Sequence, residues 1–395
     1  MRKLSADYVF PISQPSIKNG VVIVDANGTI VEVCSSDELN PAELETYKGI
    51  ICPGFINAHC HLELSHLKGK IADKNGLDVF IKEIETYRNI VPEEVEEAIV
   101  KAENEMISNG IVAVGDISNG NASFAQKTKG RLRYHTFIEV FGFHPDKAAN
   151  AFNKGTELYK NLKAQQPLAN GTSITPHAPY SASEDLLKKL YNFAWANDSL
   201  LSIHNQESEE ENKFFKNKEG AILQRLEDFG IDVSWWKPTG LTSLRSTLVH
   251  FPKHTKIQLV HNTVTTATDI EWAQTYSKFL WWCFCPNTNM YIENMLPNFQ
   301  LFIDAGVRIT IGTDSLASNK VLSVLEEIKT ISHHAPSISL ETLLTWSTLN
   351  GAEFLGFDKE LGTIEKGKQP GLNLIEGIDL DKLKLLPDST IRKLI

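Results

Sequence analysis

The chain has 395 residues, 42% hydrophobic and 22% charged, with 39 basic and 49 acidic side chains and a formal charge of −10. That length suits one large barrel with an appendage, or two to three smaller domains, with enough apolar material for a sizeable core. The acidic balance argues against nucleic acid or an anionic membrane as the main partner, because both need a basic face. A small molecule is the expected partner, and homo-oligomer formation is left open.

Cys34, Cys52, Cys60, Cys283 and Cys285 are odd in number and form no CxxC. Reduced thiols are expected rather than a disulfide scaffold or a structural zinc site. The start, MRKLSADYVFPISQ, has no apolar stretch of the signal-peptide kind, and no apolar run is long enough to span a bilayer. A cytoplasmic location is expected.

The first fifty residues read as short strands. VVIVDANGTIVEV (21–33) alternates around Ala26-Asn27-Gly28, a hairpin signal. IICPGF (50–55) is a short apolar run broken by Pro53-Gly54. A different rhythm follows, in which apolar runs end in polar or His-bearing segments and amphipathic helical stretches separate them. The runs are FINAHCH (55–61), GIVAVGDIS (110–118), RYHTFIEVFGF (133–143), TSITPHAPYS (172–181), LLSIHNQES (200–208), IQLVHNT (257–263), FLWWCFCPNTN (279–289) and VRITIGTDS (307–315). Segments 91–110 and 183–198 are typical of the helical stretches. Eight strands alternating with helices predict an α/β fold of the (β/α)8 TIM-barrel type. From about Leu361 the chain returns to short strand-like pieces, GTIEKG and GLNLIEG.

Histidines recur where the apolar runs end: His59 and His61 at the first, His177 at the fourth, His204 at the fifth and His261 at the sixth, with Asp314 after the eighth. In such a barrel these strand ends open onto one face. His59 and His61 are two apart, so on a strand both point to one side and can share one ion. Imidazoles with a carboxylate are a common zinc set, and metal-bound water loses its proton near neutral pH. Two unrelated histidines near a strand end are the bland alternative; the convergence of four further strand-end groups argues against it.

His204 and Glu207 form HxxE, which carries Glu207 past the strand end to where a partly desolvated carboxyl can act as acid or base. Otherwise Glu207 is a surface carboxylate of the acidic run ESEEEN (207–212). His261 reads as a group that orients the attacking hydroxide or polarises the substrate; alone it would be a core histidine. Asp314 can touch the metal and take a proton from bound water. His66, His135, His144, His250, His254, His333 and His334 read as surface or packing residues. Trp235 and Trp236 stack on a base or pack in the interior, with nothing to choose between the two.

These residues resemble the amidohydrolase superfamily, in its cytosine, guanine, chlorotriazine and adenosine-type deaminase branch. The matching pieces are PGFINAHCHLE (53–63), TPHAPYS (175–181), IHNQE (203–207), LVHN (259–262), CPNTN (285–289) and IGTDS (311–315), followed by TLNGAEFLG (348–356) and LGTIEKGKQPGLNLI (361–375). The resemblance implies a barrel over residues 53–358 and a small β-sandwich built from 1–52 and 359–395. It implies hydrolytic deamination of an aromatic ring, with His59, His61, His204 and Asp314 holding the metal. Glu207 protonates a ring nitrogen, His261 contacts the hydroxide, and Asp314 passes its proton to departing ammonia.

The two-metal branch of that superfamily commonly needs a bridging carboxylated Lys at the fourth strand end; TPHAPYS has none, so the resemblance implies one divalent ion, zinc first, with iron or manganese as alternatives. His177 then reads as a substrate contact or a packing residue. HLELS (61–65) is similar to segments of aminofutalosine-type deaminases. That likeness implies a purine nucleoside such as aminodeoxyfutalosine, with Glu63 contacting the ribose or an amine edge, or else pairing with Lys68 or Lys70. The competing readings are hydrolysis of a cyclic amide, an amidine or a ring C–Cl bond by the same site, and a non-catalytic binding protein. Substrate-facing residues are expected in 62–88 and 212–241.

Overall fold

The computed structural model describes residues 1–88, 91–167 and 170–395. The chain opens with five strands: β1 (Arg2–Val9), β2 (Ile17–Lys18), β3 (Gly20–Val24), β4 (Ile30–Ser35) and β5 (Glu45–Pro53). The hairpin expected over 21–33 forms, with β3 antiparallel to β4 and Val21 opposite Cys34. Its turn is closed by Asp25, whose Oδ1 accepts the N–H groups of Asn27 (2.8 Å) and Thr29 (2.9 Å), the local bonding that makes Asp a turn former.

The eight apolar runs then each supply one strand. β6 (Phe55–Cys60), β7 (Ile111–Ser118), β8 (Arg133–Val140) and β9 (Gly171–Pro176) form one parallel sheet in that order. β10 (Leu201–Asn205), β11 (Ile257–His261), β12 (Leu280–Phe284) and β13 (Arg308–Ile311) form a second. Nearly every residue of these strands is buried, which explains why they read as continuous apolar runs rather than alternating ones. Helices Pro92–Ser108 and Glu184–Asn197 occupy the stretches expected to be helical.

The two sheets meet at both edges. Cys60 bridges in parallel to Asp314, just past β13. At the other seam the Ser202 N–H donates to Thr175 Oγ1 (2.8 Å) and the His204 N–H donates to the His177 carbonyl (2.9 Å).

The chain ends in β14 (Leu372–Asp379) and β15 (Lys384–Lys393), which join the opening strands in one seven-stranded sheet. The order is β15-β14-β5-β1-β3-β4, with β2 on β1, and its core includes Leu4, Val22, Val24, Ile51, Leu372 and Leu374. Both chain ends thus build the small β unit, as a single sheet. Asn373 stands on β14 and is buried; its Nδ2 donates to the Gly110 carbonyl (2.9 Å), which also accepts the Phe55 N–H (2.9 Å). This side chain ties the terminal sheet to the start of the parallel strands.

Candidate active site

His59, His61, His204 and Asp314 are brought together from three strand ends. The Nε2 atoms of His61 and His59 are 3.2 Å apart, and those of His61 and His204 are 3.3 Å apart. Asp314 Oδ1 lies 3.4 Å from His61 Nε2 and 3.7 Å from His59 Nε2. Burial pushes the His61 imidazole down to about 3 and holds His204 well below the usual histidine range, with like-charged neighbours adding to the effect. Neutral lone pairs aimed at one another at this distance repel unless a cation stands among them. A tetrahedral ion with bonds of about 2.0–2.1 Å sets its ligands about 3.3 Å apart, so the donor set fits a zinc-like ion. His261 completes a second group of close donors with His59 and His204.

The backbone at the mouth is tightly turned. Gln206, His261, Asn262 and Asp314 have φ of 45°, 75°, 59° and 55°. Left-handed conformations of non-glycine residues cost about 1–3 kcal/mol each and persist only where surrounding contacts over-determine them. Here they turn the chain over the site: the Asp314 N–H donates to the His59 carbonyl (3.0 Å), and the Asn262 N–H to the Asn205 carbonyl (3.0 Å). Ser318 donates to Asp314 Oδ2 (2.9 Å), leaving Oδ1 toward the histidines. Burial would raise the Asp314 carboxyl, but the His59 contact and the His61 and His261 rings hold it well below its usual range.

Gly312 explains how close the last strand comes to the first. A Cβ at this position would lie 2.7 Å from His59 Cβ and 2.8 Å from the His59 carbonyl oxygen. Neither neighbour can swing away. Gly312→Ala is expected to displace His59, destabilise the fold by about 1–3 kcal/mol and weaken metal binding. Unchanged thermal unfolding and metal content would show that the strand can shift freely.

Glu207 is buried, not part of a solvated face, and lies 3.6 Å from His261 Nε2. Burial, then the nearby Asp314 and Glu211 carboxylates, raise its carboxyl well above the usual range, which favours its proton-bearing form. Glu211 of the same acidic run is buried too, and its oxygens accept the N–H groups of Glu207 (2.7 Å) and Gln206 (3.1 Å). His261 is pushed by burial down to about 4.

A cavity of about 990 Å³ opens from this cluster, lined by His61, His177, His204, Glu207, His261 and Asp314 at its inner end. Both expected stretches, 62–88 and 212–241, contribute to its wall, through Leu64, Phe80, Ile84 and Arg88 and through Ile222 and Asp232. His177 sits 4.8 Å from His204 between ring centres and bonds Ser181 Oγ through Nδ1 (3.1 Å). Glu63 does not line the cavity. Its oxygens accept the N–H groups of Asn119 (2.9 Å) and Gly120 (3.3 Å), while Lys68 pairs with Glu105 (3.1 Å). Trp236 is spent on packing, stacked on Phe214 at 4.3 Å. No helix among the described residues is long and apolar enough to cross a membrane.

The family model described as "Amidohydrolase family" matches residues 50–394. The chain belongs to the amidohydrolase family. It is a hydrolase acting on C–N bonds. An adenosine deaminase of Helicobacter pylori is 26% identical over 329 residues, covering 82% of this chain and 78% of that protein. The solved aminofutalosine deaminase of Helicobacter pylori, in complex with methylthio-coformycin, superposes with a TM-score of 0.81 at 22% identity, covering 96% and 93% of the two chains. A solved adenosine deaminase of Xanthomonas campestris with bound zinc gives 0.75 at 22%, covering 98% and 86%. The amidohydrolase therefore shares its α/β fold with these structures.

Four polar groups of this amidohydrolase site escape motif reading. Glu139 on β8 lies 3.5 Å from His204 Nδ1 and is pushed by burial up to about 7. Asn119 donates to it (2.7 Å), and Ser318 holds Asp314 as described. His144, read as a surface or packing residue, lines the cavity. The one available signal was a carboxylate inside the apolar run RYHTFIEV, since acids are rarely buried without a partner.

Proposed function

We propose that this amidohydrolase is a hydrolytic deaminase of an amino-substituted N-heterocycle, with a 6-aminopurine nucleoside as its substrate class and aminodeoxyfutalosine as the named candidate. The observation that carries the reading is a buried Glu207, 3.6 Å from His261 and beside the four convergent donors, its carboxyl shifted toward the proton-bearing form by burial. A buried carboxyl at this place suits protonation of the nitrogen beside the attacked carbon, which deamination of an amidine-like ring needs. The names of the adenosine and aminofutalosine deaminases support the same choice. A cavity of about 990 Å³ also suits a nucleoside better than a bare base.

We take the two parallel sheets as halves of one (β/α)8 barrel, with 1–52 and 359–395 as a separate β domain. His59, His61, His204 and Asp314 would hold one divalent ion, zinc by the donor geometry and by the zinc of the Xanthomonas structure. When bound, that ion supplies a Lewis acid that makes water nucleophilic near neutral pH. The chain does the rest. His261 orients the water toward the amino-bearing carbon. Glu207 gives its proton to the adjacent ring nitrogen as the C–O bond forms. Asp314 takes one proton released by water and delivers it to the amino group, which leaves as ammonia while the C–N bond breaks, and the remaining hydroxyl proton returns to Glu207 as the carbonyl forms. His177 faces the substrate from the cavity wall. The buried thiols Cys52, Cys60, Cys283 and Cys285 support a cytoplasmic location.

Zinc-loaded protein is expected to release ammonia from aminodeoxyfutalosine, adenosine or methylthioadenosine, and not from guanine or cytosine. Turnover of guanine or cytosine alone would overturn the nucleoside choice. Ammonia from none of them, with cleavage of a cyclic amide instead, would overturn deamination.

A further inference from the structure

A line of polar contacts, hydrogen bonds up to Glu139 and then a 3.5 Å approach of its carboxyl to the ring, crosses the mouth from the turn that follows His61 to His204. The turn itself is fixed at Leu62, whose N–H donates to Asp116 Oδ1 (2.8 Å). Asp116 is wholly buried and paired with the equally buried Lys127, so this anchor is rigid. Glu63, the next residue, reaches across to β7's end and accepts the Asn119 and Gly120 N–H groups with its two oxygens. That grip sets the backbone from which the Asn119 side chain projects. The Asn119 amide donates to Glu139 Oε2 (2.7 Å), and Glu139 Oε1 lies 3.5 Å from His204 Nδ1.

We propose that Glu63, Asn119 and Glu139 are positioning residues, one relay that ties the His61 turn to the His204 imidazole and strengthens His204 as a metal donor. The chemistry runs in one direction. Glu63 only accepts, the Asn119 amide donates, and Glu139 places its other oxygen 3.5 Å from the imidazole Nδ1. The His204 Nδ1–H already bonds the His177 carbonyl (2.8 Å), which sets the tautomer and leaves the Nε2 lone pair toward His61. Glu139 adds a carboxylate beside that same N–H. A carboxylate behind a ligating histidine raises the ring's strength as a donor, and its loss typically costs about 10–100-fold in metal affinity. The relay explains why Glu63 is buried yet absent from the cavity wall. It rests on the metal-site reading of the proposed function.

The test is zinc affinity of the full-length protein, read by chelator competition without substrate. Glu63→Gln replaces one acceptor oxygen with an N–H₂ that faces a backbone N–H, so the grip on 119–120 is lost at constant size. Asn119→Ala cuts the next link while leaving both carboxylates in place. Each is expected to weaken zinc binding about 10–100-fold, and the double variant no more than the weaker-binding single, as for one unit. Lys68→Ala, on the same turn but paired outward with Glu105, is expected to bind zinc as the wild type does. Wild-type affinity in the two single variants overturns the relay, as do losses that multiply in the double variant or an equal loss in Lys68→Ala. Should Glu63→Gln not fold, Glu139→Gln with Asn119→Ala supports the same cycle. A protein that binds zinc but releases no ammonia removes the deaminase reading alone.

Discussion

Changing His59 and His61 together to Ala is expected to remove the bound ion and abolish turnover while the chain still folds. The two rings supply two of the four convergent donors, and their Nε2 atoms lie 3.2 Å apart. The remaining His204 and Asp314 offer too few ligands for a closed-in catalytic site, which takes three protein ligands or more. The fold is expected to survive because its core is held by apolar clusters elsewhere, including Phe55, Ile111, Tyr134, Ile174 and Leu259. Removing imidazoles from a crowd of mutually repelling neutral rings also relieves strain that the ion otherwise offsets. Metal analysis of purified protein should fall from about one ion per chain to none. Unchanged metal content in the double variant would sink the assignment.

Glu207→Gln should keep the metal and lower turnover by roughly two to four orders of magnitude, the usual range for removing a general acid or base. The amide keeps the size and part of the bonding of the carboxyl but has no proton to give. The wild-type pH profile follows from the direction of the shift. Burial and the carboxylates of Asp314 and Glu211 raise the Glu207 carboxyl well above its usual range. Its proton-bearing form is present below that raised pKa and is lost as pH rises through it, so activity falls on the alkaline side. In Glu207→Gln that alkaline limb should disappear along with most of the rate. Near-normal turnover with the limb intact would return Glu207 to a structural role. Asp314→Asn is expected to be at least as damaging, since Asp314 is both a donor and the proposed proton carrier.

Much of the parallel fold was legible because its signals are local. Each of the eight apolar runs became a strand, since a strand covered on both faces must be apolar throughout, whatever it packs against. The i, i+2 spacing of His59 and His61 places both rings on one side by backbone geometry alone. The recurrence of histidines at strand ends made the cluster readable because parallel strands all bring the same end to one face. The hairpin over 21–33 carried its own turn chemistry in Asp25 and Gly28.

What sequence could not decide depends on which side chains meet across distant strands. Glu63 was legible as a carboxylate next to the HxH pair, but its partners are backbone N–H groups 56 and 57 residues away. No spacing rule announces them. Glu139 and Asn119 lie on neighbouring strand ends and gain meaning only when β7 and β8 set them 2.7 Å apart beside His204. The HxxE spacing singled out Glu207, but nothing in ESEEEN marked Glu211; the turn after β10 buries both and gives Glu211 to the backbone and Glu207 to His261. Trp236 could have met a base or a phenyl ring, and the helix Glu209–Asn217 supplied Phe214. By itself, then, the sequence determined the strands, the His and Asp residues that converge at their ends and the class of chemistry. The tertiary structure alone decided which carboxyls are shifted toward the proton-bearing form, because that depends on burial and on charges converging from segments far apart in the chain.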